Sequence, residues 1–399
     1  MTSLDVVDSR FDFGPLHAAM QKYVDKELLA GVSSAVLVGQ DLVDVQCTGW
    51  ADREQQTELT TDHIFRVFSN TKLMTSMGIL MLMEAGQLAL DDPIETYLPQ
   101  LANRRVLEPD ATVISQARPA THAITIRHLL THQSGLTYSF MDPGSLISKH
   151  YTALDIGGPD YSNSDLIDML EDVPLMFDPG SNWGYSHATD VLGRLIEVLS
   201  GQSLGAFLKA RIFDPLAMID TGFWVPEADQ DRLVALYKGA DLMAPMTPGL
   251  TAVKDYPKPD IYLRPYARES GGGGLVSTLP DMLRLMRSLM PGGNALLKPE
   301  TLAMMTVNQL PEGRFIRFAG IGEMAGNGFG LASGISLAPL RYQNDSVIGD
   351  VWWGGIAGTQ WWFSPKHNYA GLLMAQRNMA FLHPFAAELK RAISDAVVN

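Results

Sequence analysis

Apolar and polar positions along the chain fall into three regimes. The first is short and ordered. Pro15 to Leu29 reads as a helix, followed by two strand-like runs, Ser33 to Val38 and Leu42 to Thr48, joined by a Gly39-Gln40-Asp41 turn. After a strand-like Ile64 to Phe68 comes a long helix, from about Asn70 to Ala85. Leu73, Met74, Met77, Leu80, Met81 and Leu82 cover most of its circumference, so it should be buried on nearly all sides, and Gly86 is its expected stop. The second regime, residues 90 to 265, is short helices and irregular loops. Tyr138 to Asp165 and the proline-rich Val225 to Arg268 show little periodicity, which makes them candidates for the rim of a pocket. The third regime restores order. Helices are expected at Leu279 to Met290 and Lys298 to Gln309, then strands at Gly328 to Leu337, Ser346 to Trp353, Gln360 to Phe363 and Tyr369 to Gln376, then a last helix from Pro384 to Val397.

Strands at both ends with helices between them predict an α/β (α+β) architecture. One antiparallel sheet is built by the two termini and flanked by the first and last helices; the mostly helical middle is an insertion. The short strand connections make the sheet antiparallel. The expected division is 1–68 with 266–399 as the sheet domain and 69–265 as the helical domain, with the active site at their interface. The 399 residues are too many for one ordinary core and fit this two-lobed plan. With 46% hydrophobic and 19% charged residues, wholesale disorder is excluded.

The net charge of -14 argues against nucleic acid and against an anionic membrane surface as partners. No apolar stretch approaches a membrane span, and the polar, acidic start has no signal-peptide pattern, so a cytoplasmic location is expected. Cys47 is the single cysteine, so no intrachain disulfide can form; it reads as a small packed residue.

Three short motifs carry candidate chemistry. In Ser69-Asn70-Thr71-Lys72, the spacing of three puts the serine hydroxyl and the lysine ammonium on one helix face. A hydroxyl is a poor nucleophile until a base takes its proton, and a lysine can be that base where its surroundings disfavour its charge. The helix N-terminus aims backbone N–H groups at a developing anion. Serine before an apolar helix is also a common N-cap; against that stands the cost of a lysine in the first turn of a helix apolar all round, without a partner or task. The second motif, Tyr185-Ser186-His187, precedes a clean amphipathic helix with Ala188, Val191, Leu192, Leu195, Ile196 and Leu199 at helical spacing; half-buried packing is its plain alternative. The third, Trp352-Trp353-Gly354-Gly355-Ile356-Ala357-Gly358, places glycines in a strand, which marks close approach of backbone or ligand, or a loosened edge strand.

Together, and in this order, the three motifs resemble the serine β-lactamase and penicillin-binding family, above all its class C-like branch and the family VIII carboxylesterases. Arg127 to Leu136 and Gly271 to Thr278 look like further family stretches, and the resemblance spans about residues 15 to 397. It implies a β-lactamase-like fold, Ser69 as acylated nucleophile, Lys72 and Tyr185 sharing general-base work, and the backbone N–H groups of Ser69 and Ile356 as oxyanion hole. His187, Trp353, Gly354, Gly355 and Tyr138 would bind substrate, with no cofactor and no metal. Two positions depart from the β-lactamase pattern: His187 stands where Asn is usual, and Trp353 where the K-T-G lysine would be. They point to the esterase branch and a small-molecule ester as partner. Acyl transfer, β-lactam or D-amino-acid peptide hydrolysis, and a catalytically silent scaffold remain the alternatives. Arg268 or Lys366 could supply the missing cation.

Two decoys are set aside. Gly201-Gln202-Ser203-Leu204-Gly205 matches G-x-S-x-G, but a helix precedes it, so Gly201 reads as a C-cap and Ser203 as the next N-cap. His128 and His132 are four apart but lack an adjacent Glu and a third ligand; packing and capping are expected.

Overall fold

The computed structural model describes residues 4–8, 10–254, 256, 258, 260–318, 321–339 and 345–398. Its centre is an eight-stranded sheet running in the order 327–329, 334–336, 351–354, 360–364, 369–375, 31–38, 41–52, 57–58, with every neighbouring pair antiparallel. The chain's two ends meet where Val32 to Val38 pairs with Tyr369 to Ala375.

Tyr369–Ala375 is buried along its whole length and reads as a continuous apolar run, because helices cover both faces. Its side chains alternate. Leu372 and Met374 join the large core around the Thr71–Glu84 helix, while Leu373 and Ala375 join a second core with Leu16, Met20 and Tyr23 of the Gly14–Asp25 helix and Leu389 and Ile393 of the Phe385–Val398 helix. The sheet is thus the middle layer, with the terminal helices on one face and the Thr71–Glu84 helix on the other. No single helix among the described residues is long and apolar enough to cross a membrane.

Several expected elements differ in extent. The first helix stops at Asp25, because Glu27 turns into the left-handed region at φ 51. Ile64 to Phe68 shortens to Ile64–Arg66 and pairs with Val276–Thr278 in a separate two-stranded sheet. Gly328 to Leu337 is not one strand but a hairpin, Asn327–Phe329 and Gly334–Ser336, closed by the Gly330 N–H donating to the Ser333 carbonyl at 2.8 Å. Ser346 to Trp353 keeps only Val351–Gly354 as strand, after a 3₁₀ turn at Asp345–Val347. Tyr138 to Asp165 contains a helix, Leu146–Ala153, whose N-cap Ser145 accepts from the Ser148 N–H. The proline-rich stretch carries the 3₁₀ helix Glu227–Arg232 and the short strands Tyr237–Gly239 and Leu250–Ala252; its residues 255, 257 and 259 lie outside the described set.

Candidate active site

Ser69 sits in a 3₁₀ turn, Phe68–Asn70, that runs straight into the Thr71–Glu84 helix. The turn begins from an unusual conformation. Phe68 has φ 44, a left-handed value that a bulky side chain rarely adopts. It is held there by packing: Phe68 clusters with Leu236 and Ala357 and meets the rings of Tyr256 and Tyr262. The effect is to leave Ser69 half-buried while the helix behind it is buried on all sides.

Lys72 is 2% exposed, and the apolar helix around it supplies no partner. Its ammonium instead donates to the Gly272 carbonyl at 2.6 Å, the Tyr138 hydroxyl at 3.0 Å and the Ser69 Oγ at 3.4 Å. It also lies 4.5 Å from the centre of the Tyr185 ring and 5.3 Å from that of Tyr138, both within cation–π range. The buried lysine that the sequence makes expensive is therefore compensated by three acceptors and two aromatic faces.

Tyr185 stands just before the Ala188–Ser200 helix, 7% exposed, and its hydroxyl has no protein hydrogen-bond partner among the described residues. Its ring packs among Trp183, Phe318, His132 and Trp353. Trp353 is 4% exposed with an unpartnered indole N–H, and Phe329 stands at right angles to it. An aromatic wall thus backs Tyr185.

The glycine motif closes on the Phe68–Asn70 turn. A Cβ on Gly355 would lie 2.5 Å from the Val67 carbonyl oxygen and 3.3 Å from the Phe68 Cβ, so only glycine permits this approach. Thr359 ties the same place by donating to the Val67 carbonyl at 3.1 Å. Ile356, next along, directs its N–H to no acceptor among the described residues and packs against the Phe68 cluster.

His187 is fully inside. Its Nδ1 is 2.9 Å from Asp190 Oδ2, and its ring meets Tyr138 edge-on at 4.3 Å. Burial pulls the imidazole below its ordinary value in spite of that carboxylate, so it is neutral and donates through Nδ1. Burial works to raise Asp190, but the His187 hydrogen bond and the Arg268 charge hold it well below the usual carboxylate range. Burial, then the charge of Asp190, pushes the Tyr138 phenol well above its usual value, so it remains protonated.

Ser69, Lys72, Tyr138, Tyr185 and His187 therefore converge through direct contacts, with Trp353 behind Tyr185 and Gly354–Ile356 beside Phe68. Gly271 and Gly272 run along the site by close packing, a Cβ on either lying 2.8 Å from the Thr189 carbonyl or the Asp190 carboxylate. The decoys resolve as caps. Ser203 Oγ accepts from the Ala206 N–H, Gly201 ends its helix at φ 68, and His128 caps the Ile126–Leu130 helix. No cluster of three metal-ligating side chains occurs among the described residues. Sequence reasoning missed Asp190; an acid three residues into a helix that starts at the tyrosine motif is the signal that would have found it.

Fold and site together define a class, and comparison agrees: the chain belongs to the Beta-lactamase family, whose model matches residues 16–394. Among its relatives, Esterase EstB of Burkholderia gladioli is 30% identical, over 99% of this chain and 98% of that protein. Of solved structures, simvastatin synthase LovD from Aspergillus terreus superposes with a TM-score of 0.79 at 26% identity, covering 96% of each chain. EstCE1, described as a hydrolase with promiscuous acyltransferase activity, shares the fold at a TM-score of 0.80 and 24% identity, covering 97% of this chain and 98% of that one.

Proposed function

We propose that this chain hydrolyses carboxylic esters through an acyl-enzyme on Ser69. The observation that carries the reading is a reachable serine hydroxyl 3.4 Å from a buried lysine ammonium at the start of a buried helix. Lys72 and Tyr185 share the base work: with one proton fewer between them than in the ammonium–phenol pair, they take the Ser69 proton as Oγ attacks the ester carbonyl. The unpartnered Tyr185 hydroxyl is free to pass a proton to the departing alkoxide. The oxyanion is met by the N–H groups of Ser69 and Ile356. Collapse expels the alcohol; water then attacks the acyl-enzyme, the acid leaves and Ser69 regains its proton. The name of EstB, an esterase, supports the same chemistry.

Esters are favoured over β-lactams because Trp353 offers one N–H donor where a cation would anchor a carboxylate. The two candidate replacements lie elsewhere or are held by other partners. Lys366 lies in the exposed turn that joins Gln360–Ser364 to Tyr369–Ala375, at the opposite end of the strand from the Gly354–Gln360 pair. Arg268 is engaged with the Gly157 carbonyl. A lost charge-assisted bond is worth about 1.5–3 kcal/mol, or roughly ten- to a hundredfold. Assayed side by side, p-nitrophenyl butyrate should exceed nitrocefin in kcat/KM by more than about a hundredfold, since the lactam also loses the usual Asn contact to His187. Equal efficiencies would make this a β-lactamase. An alcohol can replace water in the second step, as the description of EstCE1 suggests; ester exchange in the presence of added alcohol measures that branch.

A further inference from the structure

Gly272 supplies the shortest of the three hydrogen bonds that hold the Lys72 ammonium, 2.6 Å to its carbonyl. What fixes that carbonyl is not obvious, because Gly271 to Gly274 has no side chains to pack and glycine backbone is intrinsically mobile. On one side the segment is tied to the nucleophile's own helix. Thr75 Oγ1 donates to the Gly271 carbonyl at 2.9 Å, and the Leu275 N–H donates to Thr71 Oγ1 at 3.1 Å.

On the other side the tie is Asp190. Its Oδ1 accepts from the Gly272 N–H at 3.1 Å and from Ser270 Oγ at 2.6 Å. A Cβ on Gly272 would lie 2.8 Å from both Asp190 Oδ2 and the Tyr138 hydroxyl, so carboxylate and phenol close directly over this glycine. The same carboxylate reaches the second partner of Lys72. Through Oδ2 it receives His187 Nδ1, and the His187 ring braces Tyr138, whose hydroxyl accepts from Lys72 at 3.0 Å. Asp190 lies in the first turn of the Ala188–Ser200 helix, where the helix dipole favours an anion.

We propose that Asp190 is the positioning residue of this site. Its buried carboxylate sets the Lys72 ammonium against Ser69 by two arms, one through the Gly272 backbone and one through the His187 ring to Tyr138. The inference rests on the acyl-enzyme reading above, and it assigns Asp190 no contact with substrate. A misplaced base costs turnover far more than ground-state binding, and a shift of about 1 Å can cost about a hundredfold.

The test is kcat and KM on p-nitrophenyl butyrate for Asp190→Ala, Asp190→Asn and Gly272→Ala, each checked for folding by circular dichroism and Tm. Asp190→Ala should lower kcat about a hundredfold while KM moves less than about threefold. Asp190→Asn still offers an oxygen to Gly272 and Ser270, and its amide suits the other tautomer of His187, so it should recover at least about tenfold of that loss. Gly272→Ala drives a methyl group against the Asp190 carboxylate and the Tyr138 hydroxyl, pushes both arms out of place and should reproduce the kcat loss; with Asp190→Asn it decides the matter if the alanine variant at 190 does not fold. A folded Asp190→Ala enzyme within about threefold of the parent kcat would overturn the proposal, as would Gly272→Ala at parental kcat, or an Asn variant as poor as Ala. Activity surviving in Ser69→Ala would instead overturn the acyl-enzyme reading itself.

Discussion

Two of the serines that stand at the start of a helix, Ser203 and Ser69, are used in opposite ways. Ser203, exposed in a G-x-S-x-G run, has extended backbone and spends its Oγ on the Ala206 N–H 3.2 Å away. Ser69 makes no such cap. The residue that caps its helix is Asn70, without a side-chain hydrogen bond, and the Ser69 hydroxyl is met instead by the Lys72 ammonium. A capping serine has committed its oxygen to its own backbone; a nucleophile must keep it free. The difference originates one residue earlier. Phe68, held at positive φ by packing against Gly355, Leu236, Tyr256 and Tyr262, leads Ser69 into a 3₁₀ turn, where the geometry of an ordinary N-cap is lost.

The sharpest way to break the comparison is to exchange the fates of the two hydroxyls. Ser69→Ala should abolish turnover of p-nitrophenyl butyrate, while Ser203→Ala leaves kcat within about twofold; the reverse pattern would move the nucleophile to Ser203. Next in size are the groups around Ser69. Lys72→Ala and Tyr185→Phe should each lower kcat by about 10²–10⁴, the usual cost of a missing general base. Gly355→Ala places a methyl group 2.5 Å from the Val67 carbonyl and should cost more than about tenfold in kcat, by shifting the Phe68 turn and the Ile356 N–H.

The pH dependence is a gentler probe. Burial, and for His132 the Lys72 charge as well, holds His132 and His187 below the ordinary histidine value of 6.5. The kcat profile should therefore show no step near 6.5, and a step there that disappears on replacing either histidine would contradict the assignment. The same burial links stability to acid. His383, pushed by burial from 6.5 to about 4, binds its proton in the unfolded chain before the folded one. Stability is fully present above 6.5 and falls as pH drops towards 4; His383→Gln should flatten Tm across that window. Smallest is the cap itself: Ser203→Ala should cost about 1 kcal/mol and lower Tm by about 2 °C, with activity unchanged.

How far the sequence could be read follows from where the forces act. The sheet, its antiparallel sense and its flanking helices were legible because alternation and helical periodicity record burial directly. The Thr71–Glu84 helix was legible to within a residue or two, since its apolar surface is continuous. The hairpin inside Gly328 to Leu337 was not, because Gly330 and Gly334 bound a four-residue turn whose middle, Leu331 and Ala332, is buried and looks like strand. In the site, Ser69, Lys72, Tyr185 and the glycine motif announced themselves by spacing. Asp190 did not, because its importance comes from partners at 187, 270 and 272 that only tertiary packing brings together. Likewise nothing local marks Phe68 for a left-handed φ; that conformation is held by residues distant in sequence, from Leu236 to Ala357.

Intact-mass analysis after treatment with a p-nitrophenyl phosphonate ester tests the central claim most directly. The parent protein and Ser203→Ala should each gain one phosphonyl group, mapped by peptide sequencing to Ser69, Lys72→Ala should gain it far more slowly, and Ser69→Ala should gain none. A phosphonyl group found on Ser203, or labelling of Ser69→Ala at the parental rate, would contradict the account.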